Sequence, residues 1–585
     1  MKRIWSSFLL ASCLAVLAAL PAFATVAVLT SDADLTRSSR VILEGRVLSF
    51  MSQWEGDVIY SYVEISVDRV LKGRLAGSTV VVKQIGGTVG EVSWILHGSP
   101  VFKKGERTLL FLDTWPDGAL RVAHLFMGKY DVVRDAKTGK TRAVRKMSQG
   151  VELLGKQTPG ETTGSADLAA FRSRIDRLAR QQGTRESAEA PAVVEIPHEV
   201  RAFFAPQGGG PRPLFEKFNL LVTNNRFHRW FQPDSGQGVG FWFNLTQAPT
   251  ANAHQSLINA QQAWNNVPTA RINLDFSGYA TAGGLSADFF NAISFQDPLN
   301  QLQDPVNCGG IVAAASLVRR NDSSAREVNK TFFYQILEAD VVYNNGWNTP
   351  SCPLFLNDAS TKIIEEVGAH ELGHAIGLGH SDLTTRAPGL DAIMRSFIHN
   401  DGRGATLGFD DEVGVTFIYP EPGNPIDHPR YFVGWHYRDW LEREPDIPGL
   451  NFWSSQISNP GLRPHVALAF PYSGEFYDLI DTRFHPSNRG TPAYNNAFVE
   501  ECFERYWKRP KDSNFWVDWL NARIPNNDDH YRTVLQAFFD DFEYRSRFDP
   551  YLCDPDEENA CWASGGTWNS WSCSCDYSCG PWGCL

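Results

Sequence analysis

The stretch 370–380, His-Glu-Leu-Gly-His-Ala-Ile-Gly-Leu-Gly-His, contains three histidines and a glutamate at spacings suited to metal chemistry. On a helix, His370 and His374 lie on one face about one turn apart, so their imidazoles can take adjacent corners of a Zn²⁺ tetrahedron. Gly377 tolerates the conformation in which helices end, and the chain can then deliver His380 as a third ligand. Three protein ligands leave one position for water, which is typical of a catalytic zinc site. Glu371 stands where it can accept a proton from that water.

The residues before this motif predict the helix that must carry it. Asn357-Asp358-Ala359-Ser360 offers capping side chains, and Ile363, Ile364 and Val367 follow at helical spacing, so one face of the helix can be buried. A His-Glu-x-x-His sequence alone also occurs by chance in helices. The third histidine and the intervening glycine, at the required spacing, favour the metal site over that interpretation.

The pattern His-Glu-x-x-His-x-x-Gly-x-x-His, followed downstream by a methionine, resembles the metzincin zinc peptidases. The Met-turn of that clan passes beneath the metal, and the candidate here is Met394, as a structural residue, fourteen residues after His380. Ser381, directly after the third histidine, resembles the matrixin branch. So does 407–419, which contains paired aspartates and ends in a tyrosine. The resemblance covers roughly residues 215–420, about a third of the chain.

This resemblance implies an α+β, zincin-like catalytic domain, one catalytic Zn²⁺ and a protein or peptide substrate. By analogy with matrixins, 309–315 could belong to an edge strand that pairs with the substrate backbone, and an ordinary sheet strand is an equally good interpretation. Calcium binding stays open, because no ligand set for it stands out. No His/Asp pattern upstream of His370 matches the second, structural zinc of the family, so we expect one zinc.

Two departures from the family bear on specificity and latency. Matrixins follow the Met-turn with Pro-x-Tyr, which walls the specificity pocket, whereas this chain has Ser396-Phe397-Ile398, so no side-chain preference is transferred. The matrixin cysteine switch needs a cysteine upstream of the catalytic domain. The first cysteine after the leader is Cys308, inside that domain, so we expect this mode of latency to be absent.

The N-terminus predicts export. Lys2-Arg3 precedes an apolar run from Ile4 to Leu20, and Ala22-Phe23-Ala24 supplies small residues before a cleavage point, which is typical of a signal peptide over 1–24. The alternative is lipoprotein processing at Cys13, which is less favoured because the apolar run continues beyond it. We therefore expect a secreted, periplasmic or cell-surface protein without a later transmembrane span.

Length and charge bound the remaining possibilities. A chain of 585 residues is too long to fold around a single hydrophobic core, so several domains are expected. A net charge of −12 argues against nucleic-acid partners. The predicted organisation begins with a signal peptide (1–24), a β-rich N-terminal barrel or sandwich (25–148) and a linker (149–213). The metzincin catalytic domain (214–422), a duplicated helical domain (428–550) and a small disulfide-rich tail (551–585) follow.

The sequence says less about the function of the regions outside the catalytic domain. The β-rich domain fits a pro-domain, an accessory binding module or a spacer, and activating cleavage would fall within 190–213 of the linker. The helical domain repeats an aromatic pattern at an offset of about 66 residues and resembles a repeat of unknown function near the C-termini of secreted bacterial proteins. A Trp-rich surface could bind cell-surface glycan or wall polymer, but aromatic residues at helical spacing are more typical of a core.

Cysteine usage fits an oxidising compartment. Six cysteines within 553–584 favour a disulfide knot over a thiol zinc site. Cys308 and Cys352 could close a loop, which leaves Cys502 either free and buried or paired elsewhere.

Together these features predict a secreted zinc endopeptidase in which His370, His374 and His380 bind the metal and Glu371 is the general base. The competing hypothesis is a secreted adhesin or glycan-binding protein with a vestigial peptidase lobe. The intact set of three histidines and a glutamate argues against it.

Overall fold

The computed structural model describes three folded regions, with the β-rich region first, an α/β region second and a helical region last. The multidomain organisation predicted from the sequence is thereby confirmed. The predicted signal peptide and most of the cysteine-rich tail lie outside the described residues. The described residues are 25–136, 139–146, 152–154, 165–181, 218–223, 226–322, 324–381, 391–549, 561, 567–569 and 574–576.

The first region is built on a sheet that closes on itself. Its elements are β1 (Thr25–Val28), α1 (Asp32–Ser38), β2 (Val41–Glu55), β3 (Val58–Lys72), β4 (Thr79–Ile85), β5 (Gly87–Val89), β6 (Val92–Leu96), β7 (Arg107–Thr114), β8 (Leu120–Val122), β9 (Lys129–Arg134), β10 (Thr141–Val144), β11 (Glu152–Leu154), β12 (Ser165–Asp167) and α2 (Leu168–Gln181). β7, β2, β3, β4 and β8 pair in that order, and β8 pairs back with β7, so these five strands form a barrel filled by aliphatic side chains.

The predicted linker 149–213 is partly structured, which corrects its N-terminal boundary. β11, β12 and α2 all lie inside it. Helix α2 packs on the first region, where Phe171 contacts the rings of Phe111 and Tyr130. The polar residues of 165–181 suggested a linker, but Leu168, Phe171 and Ile175 form a buried stripe at helical spacing.

The second region has a mixed sheet with helices on one face. Its elements are β13 (Asn219–Leu220), β14 (Val222–Thr223), β15 (Arg226–Arg229), β16 (Val239–Asn244), α3 (Ala253–Asn265), β17 (Leu274–Tyr279), β18 (Ala292–Phe295), β19 (Gly310–Arg320), β20 (Arg326–Val328), β21 (Thr331–Tyr343), α4 (Asp358–Thr361), α5 (Ile363–Ala375), β22 (Leu378–Gly379), β23 (Phe397–Ile398) and α6 (Phe409–Ile418). The strands of the sheet run in the order β17-β16-β18-β21-β19, all parallel except the antiparallel pair of β21 and β19.

Strand β19 contains most of the segment 309–315, which the sequence left open as a substrate-pairing edge strand or an ordinary sheet strand, and the first region covers it. β1 pairs with its first half and β6 with its second half, both antiparallel. One hydrophobic cluster joins the two regions, since it contains Leu109 and Phe111 of the barrel together with Ile311 and Val342 of the second sheet. The two regions therefore share a core.

The third region consists of two successive sets of four helices. The first set is α7 (Pro429–Leu441), α8 (Ile447–Ser455), α9 (Arg463–Ala469) and α10 (Gly474–Leu479), and the second is α11 (Pro492–Trp507), α12 (Phe515–Asn521), α13 (Asp528–Phe539) and α14 (Phe542–Arg545). The same ion pair recurs in both sets, Arg443 with Glu475 and Arg509 with Glu543. Most aromatic side chains of this region form its core, as helical spacing favours.

Cysteine pairing follows the prediction where it is described. Cys308 and Cys352 form a disulfide, and Cys502 is free and buried. In the tail, Cys561 is also disulfide-bonded, and β24 (Thr567–Asn569) pairs antiparallel with β25 (Ser574–Asp576). None of the helices in the described part of the chain combines the length and apolar character needed to cross a bilayer.

The burial of Cys502 predicts its reactivity. Its side chain is inaccessible, and burial raises the pKa of its thiol well above the usual range, so an alkylating reagent should leave it unlabelled in the native protein. Mass spectrometry after digestion should find Cys502 labelled only when alkylation follows denaturation, without reductant. Labelling of Cys502 in the native protein would contradict its place in the core.

Candidate metal centre

Helix α5 and the turn that follows it bring the three predicted histidines together. His370, Glu371 and His374 lie on α5, and the chain reverses at Gly377, whose φ of +101° favours glycine. A Cβ atom there would also lie 2.2 Å from the carbonyl oxygen of His228, so the turn excludes any side chain. His380 follows β22 and faces back toward the helix.

Four buried aromatic side chains fix the position of α5 by hydrogen bonds to backbone carbonyls. The Tyr343 hydroxyl donates to Ile364 O at 2.7 Å and Trp264 Nε1 donates to Ala369 O at 2.9 Å. Beyond the metal-facing turn, Trp230 Nε1 donates to Ala375 O and the Tyr419 hydroxyl to Ile376 O, both at 2.8 Å. These bonds tie the helix to both the sheet and α6.

The three imidazoles converge through their Nε2 atoms. His370 Nε2 lies 2.8 Å from His374 Nε2 and 3.0 Å from His380 Nε2. The Nδ1 atoms of His370 and His374 each lie 2.8 Å from a backbone carbonyl, of Ile393 and Leu378, which can only accept. Nδ1 therefore carries the proton, and the Nε2 lone pairs point inward.

This donor set fits a zinc ion. Burial lowers the pKa of His370 to about 3 and the pKa values of His374 and His380 well below their usual value, so all three rings are neutral and able to act as ligands. Converging lone pairs repel unless a cation lies among them. In the part of the chain that the structure describes, no other group of three or more histidine, cysteine, aspartate or glutamate donors comes as close together.

Glu371 is fully buried beside the triad. Its Oε1 accepts a hydrogen bond from the backbone N–H of Val26 at 3.2 Å. Burial raises the pKa of its carboxyl to about 8, and backbone N–H groups of Val26 and Ala315 oppose that rise. Glu371 thus follows the predicted ligand His370 directly in sequence, and its carboxylate contacts a strand of the N-terminal region.

The turn that contains Met394 is linked by hydrogen bonds to α6 and to the segments that carry the histidines. The Asp411 carboxylate accepts hydrogen bonds from the backbone N–H of Ile393 at 2.6 Å and of Met394 at 3.1 Å. Ile393 in turn offers the carbonyl that orients His370, and the Ser381 N–H donates to Met394 O at 2.7 Å. Met394 itself packs against α5 at Gly373. This turn thus links α6 to the first and third histidines.

The helical region reaches the site through one buried arginine. Arg438 on α7 donates to Asp410 Oδ1 at 2.6 Å and to Glu444 Oε1 at 2.8 Å, with only 3% of its side chain exposed. The other oxygen of Asp410 accepts from the Ser381 hydroxyl, next to His380. Arg438 therefore neutralises the carboxylate that holds the chain at the third histidine.

Two segments match models of known families. Residues 243–420 match the family described as Matrixin, and residues 426–480 match a domain of unknown function (DUF4214), which corresponds to the first set of four helices. No curated protein matches the chain. The second region is a matrixin-like metallopeptidase domain, as the motif predicted, and the matrixin family is zinc-dependent.

The structure also assigns positions that motif reasoning missed. It places Val26 and His97, from the N-terminal region, beside the triad, and Arg438 behind it. Neither Val26 nor His97 carries a local signal, because each reaches the site through strand pairing. The paired aspartates did stand out as a family feature, but not the arginine that neutralises one of them.

The close approach of Met394 to α5 can be tested at Gly373. A Cβ atom there would lie 2.2 Å from Met394 Sδ and 2.8 Å from the Trp264 ring, so Gly373→Ala should overpack the site at a cost of about 1–3 kcal/mol. Metal analysis should show reduced zinc content. Gly474→Ala, whose Cβ would meet no atom closer than 3.5 Å, is the matched control. Full zinc occupancy in Gly373→Ala would contradict the role of this contact.

The role of Arg438 can be tested by removing its charge. Arg438→Met removes the positive charge that pairs with two buried carboxylates, which should lower the free energy of unfolding by about 3–5 kcal/mol. Urea denaturation followed by tryptophan fluorescence measures this. Arg320→Met, which removes an exposed pair, should cost only about 0–1 kcal/mol. Equal effects of the two substitutions would contradict the account.

Proposed function

We propose that this protein is an exported zinc-dependent endopeptidase. The observation that supports this most strongly is the convergence of three buried, neutral histidines beside a buried glutamate, in a domain that matches the matrixins. The predicted signal peptide and the disulfide between Cys308 and Cys352 are consistent with an oxidising compartment.

In the proposed mechanism His370, His374 and His380 hold the zinc with their Nε2 atoms. When bound, zinc polarises the scissile carbonyl and makes water acidic enough to deprotonate near neutral pH. The backbone carbonyls of Ile393 and Leu378 keep the Nδ1 protons of His370 and His374 in place, which preserves the inward lone pairs.

Glu371 moves the proton. Its carboxylate takes a proton from the attacking water and hands it to the nitrogen of the leaving amine, so one water is consumed and one peptide bond is broken. Burial suits this role, because it brings the basicity of the carboxylate closer to that of the groups with which it exchanges the proton. Met394 supports the helix without acting as a ligand.

The substrate is a protein or peptide. The exposed aromatic rings Phe452 and Phe515 occupy equivalent positions in the two helical sets, but most aromatic residues there build a core. We therefore propose no polymer-binding role for this region, and the adhesin hypothesis has no separate structural support.

The proposal is tested with two substitutions that should separate metal binding from catalysis. Glu371→Ala should retain about one zinc per chain and lose hydrolysis by several orders of magnitude, because the proton acceptor is gone. His380→Ala should lose most of the zinc. Both are measured by metal analysis and by hydrolysis of a generic protein substrate.

Exposed Glu504→Ala serves as the control for loss of a carboxylate and should match the unsubstituted protein in both measurements. Normal hydrolysis by Glu371→Ala would refute the assignment of the general base. Normal zinc content in His380→Ala would refute the ligand set.

A further inference from the structure

The first strand of the described chain lies where a substrate would lie. β1 pairs antiparallel with β19, with Thr25 opposite Ala314 and Val26 opposite Ala313. On its other side β1 pairs with β11, and β11 pairs with β23, the segment just after Met394. The space between the two rims of the metal centre, β19 and β23, is therefore filled by strands of the N-terminal region.

Val26 makes the contacts expected of a bound peptide. Its N–H donates to Glu371 Oε1, the group proposed to move protons during hydrolysis. Its side chain is fully buried in the core of the peptidase domain, which also contains Leu378 and Met394, whereas Ala27 faces the core shared with the barrel. Alternation along the strand thus inserts one side chain into the peptidase beside its general base.

The second half of β19 is covered in the same way. β6 pairs antiparallel with residues 316–320, and the His97 N–H approaches Ala315 O at 3.4 Å. The ring of His97 stacks on that of His374, with centroids 6.1 Å apart. Both halves of the strand are thus paired with the N-terminal region, and an extended substrate has no backbone groups left to pair with.

Thr25 is linked to both of these contacts. Its Oγ1 donates to His97 O at 2.6 Å, and the next residue contacts Glu371. Thr25 is fully buried, and the ring nitrogens of His97 lie outside the group of converging donors. If the leader is removed after Ala24, Thr25 becomes the first residue, and its α-amine is then one residue away from the contact with Glu371.

We propose that the first residues of the processed chain are a built-in inhibitor. Thr25–Val28 occupies the place of the substrate, and the α-amine of Thr25 supplies a nitrogen donor toward the metal held by His370, His374 and His380. An uncharged amine has a nitrogen lone pair, as imidazole does, and can fill the position that a catalytic site leaves open for water. This inference rests on the proposed function and on leader removal after Ala24.

The proposal requires activation to displace the strand. Because β1 is held by pairing along both edges and by the buried Val26 side chain, cutting the chain elsewhere does not by itself vacate the site. The N-terminal region must then separate from β19. The shared core means that this separation exposes apolar surface, so a docked state is the resting state.

Three full-length proteins test the proposal: the chain beginning at Thr25, the same chain with Gly-Ser placed before Thr25, and Val26→Asp. Each is loaded with Co²⁺, whose visible absorption reports the donor set without any substrate, and each is assayed with zinc for hydrolysis of a generic protein. Val101→Asp, at a position 59% exposed in the same region, is the matched control.

The extended chain should show a different Co²⁺ spectrum from the chain beginning at Thr25, because its α-amine is moved two residues away. Val26→Asp should hydrolyse protein at least about tenfold faster, since a buried carboxylate beside Glu371 disfavours the docked strand. Val101→Asp should match the unsubstituted chain in both measurements.

Identical spectra for the extended and unextended chains would overturn the role of the α-amine. Equal hydrolysis by Val26→Asp and the unsubstituted chain would overturn inhibition by the strand. A spectrum that responds to the N-terminus without hydrolysis by any chain would support this inference and contradict the endopeptidase. Failure of every chain to bind Co²⁺ would overturn both.

Discussion

Three buried imidazoles whose Nε2 atoms converge are the constraint on which the site depends, with His370 Nε2 at 2.8 Å from that of His374 and at 3.0 Å from that of His380. Such an arrangement is unfavourable without a cation, so other interactions must hold each ring. Two carbonyls fix the Nδ1 protons, and Gly377 allows the turn that returns His380. The Met394 turn, pinned by Asp411, supplies one of those carbonyls. Much of the catalytic domain can be understood as a frame for these rings.

The flanking regions are part of that frame rather than independent attachments. The core of the helical region includes Phe409 and Val413 of α6, and its Arg438 neutralises Asp410. A separate hydrophobic cluster joins the barrel strands to the peptidase sheet, through Leu109 and Phe111 on one side and Ile311 and Val342 on the other. Removing either region would leave apolar surface and, at Asp410, an unpaired buried carboxylate, so the three regions stabilise one another.

Local patterns predicted much of the fold. The N-terminal region was predicted to be β-rich, and the helical spacing of Ile363, Ile364 and Val367 predicted the helix α5, because burial of one face dictates both the pattern and the structure. The motif also predicted that the three histidines converge, because residues that are to share one ion must be of a suitable type and spacing. The amphipathic helix α2 was predictable in principle from Leu168, Phe171 and Ile175, but its polar composition resembled a linker.

What could not be predicted are contacts between distant parts of the chain. Val26 and Glu371 are 345 residues apart, and a four-residue strand directly after an apolar leader has no periodicity of its own. Strand pairing decides which segment covers β19, and any β-branched segment could have paired with it. Arg438 shows the same difficulty, because an arginine within an aromatic helix gives no sign of its buried carboxylate partners.

The proposed catalytic site requires that His370, His374 and His380 share one zinc ion. Its most direct test is an anomalous difference map from crystals of the full-length protein, with data collected on both sides of the zinc absorption edge. The account predicts one strong zinc peak within coordination distance of all three Nε2 atoms. Zinc bound elsewhere, with no peak among these nitrogens in zinc-saturated protein, would contradict it.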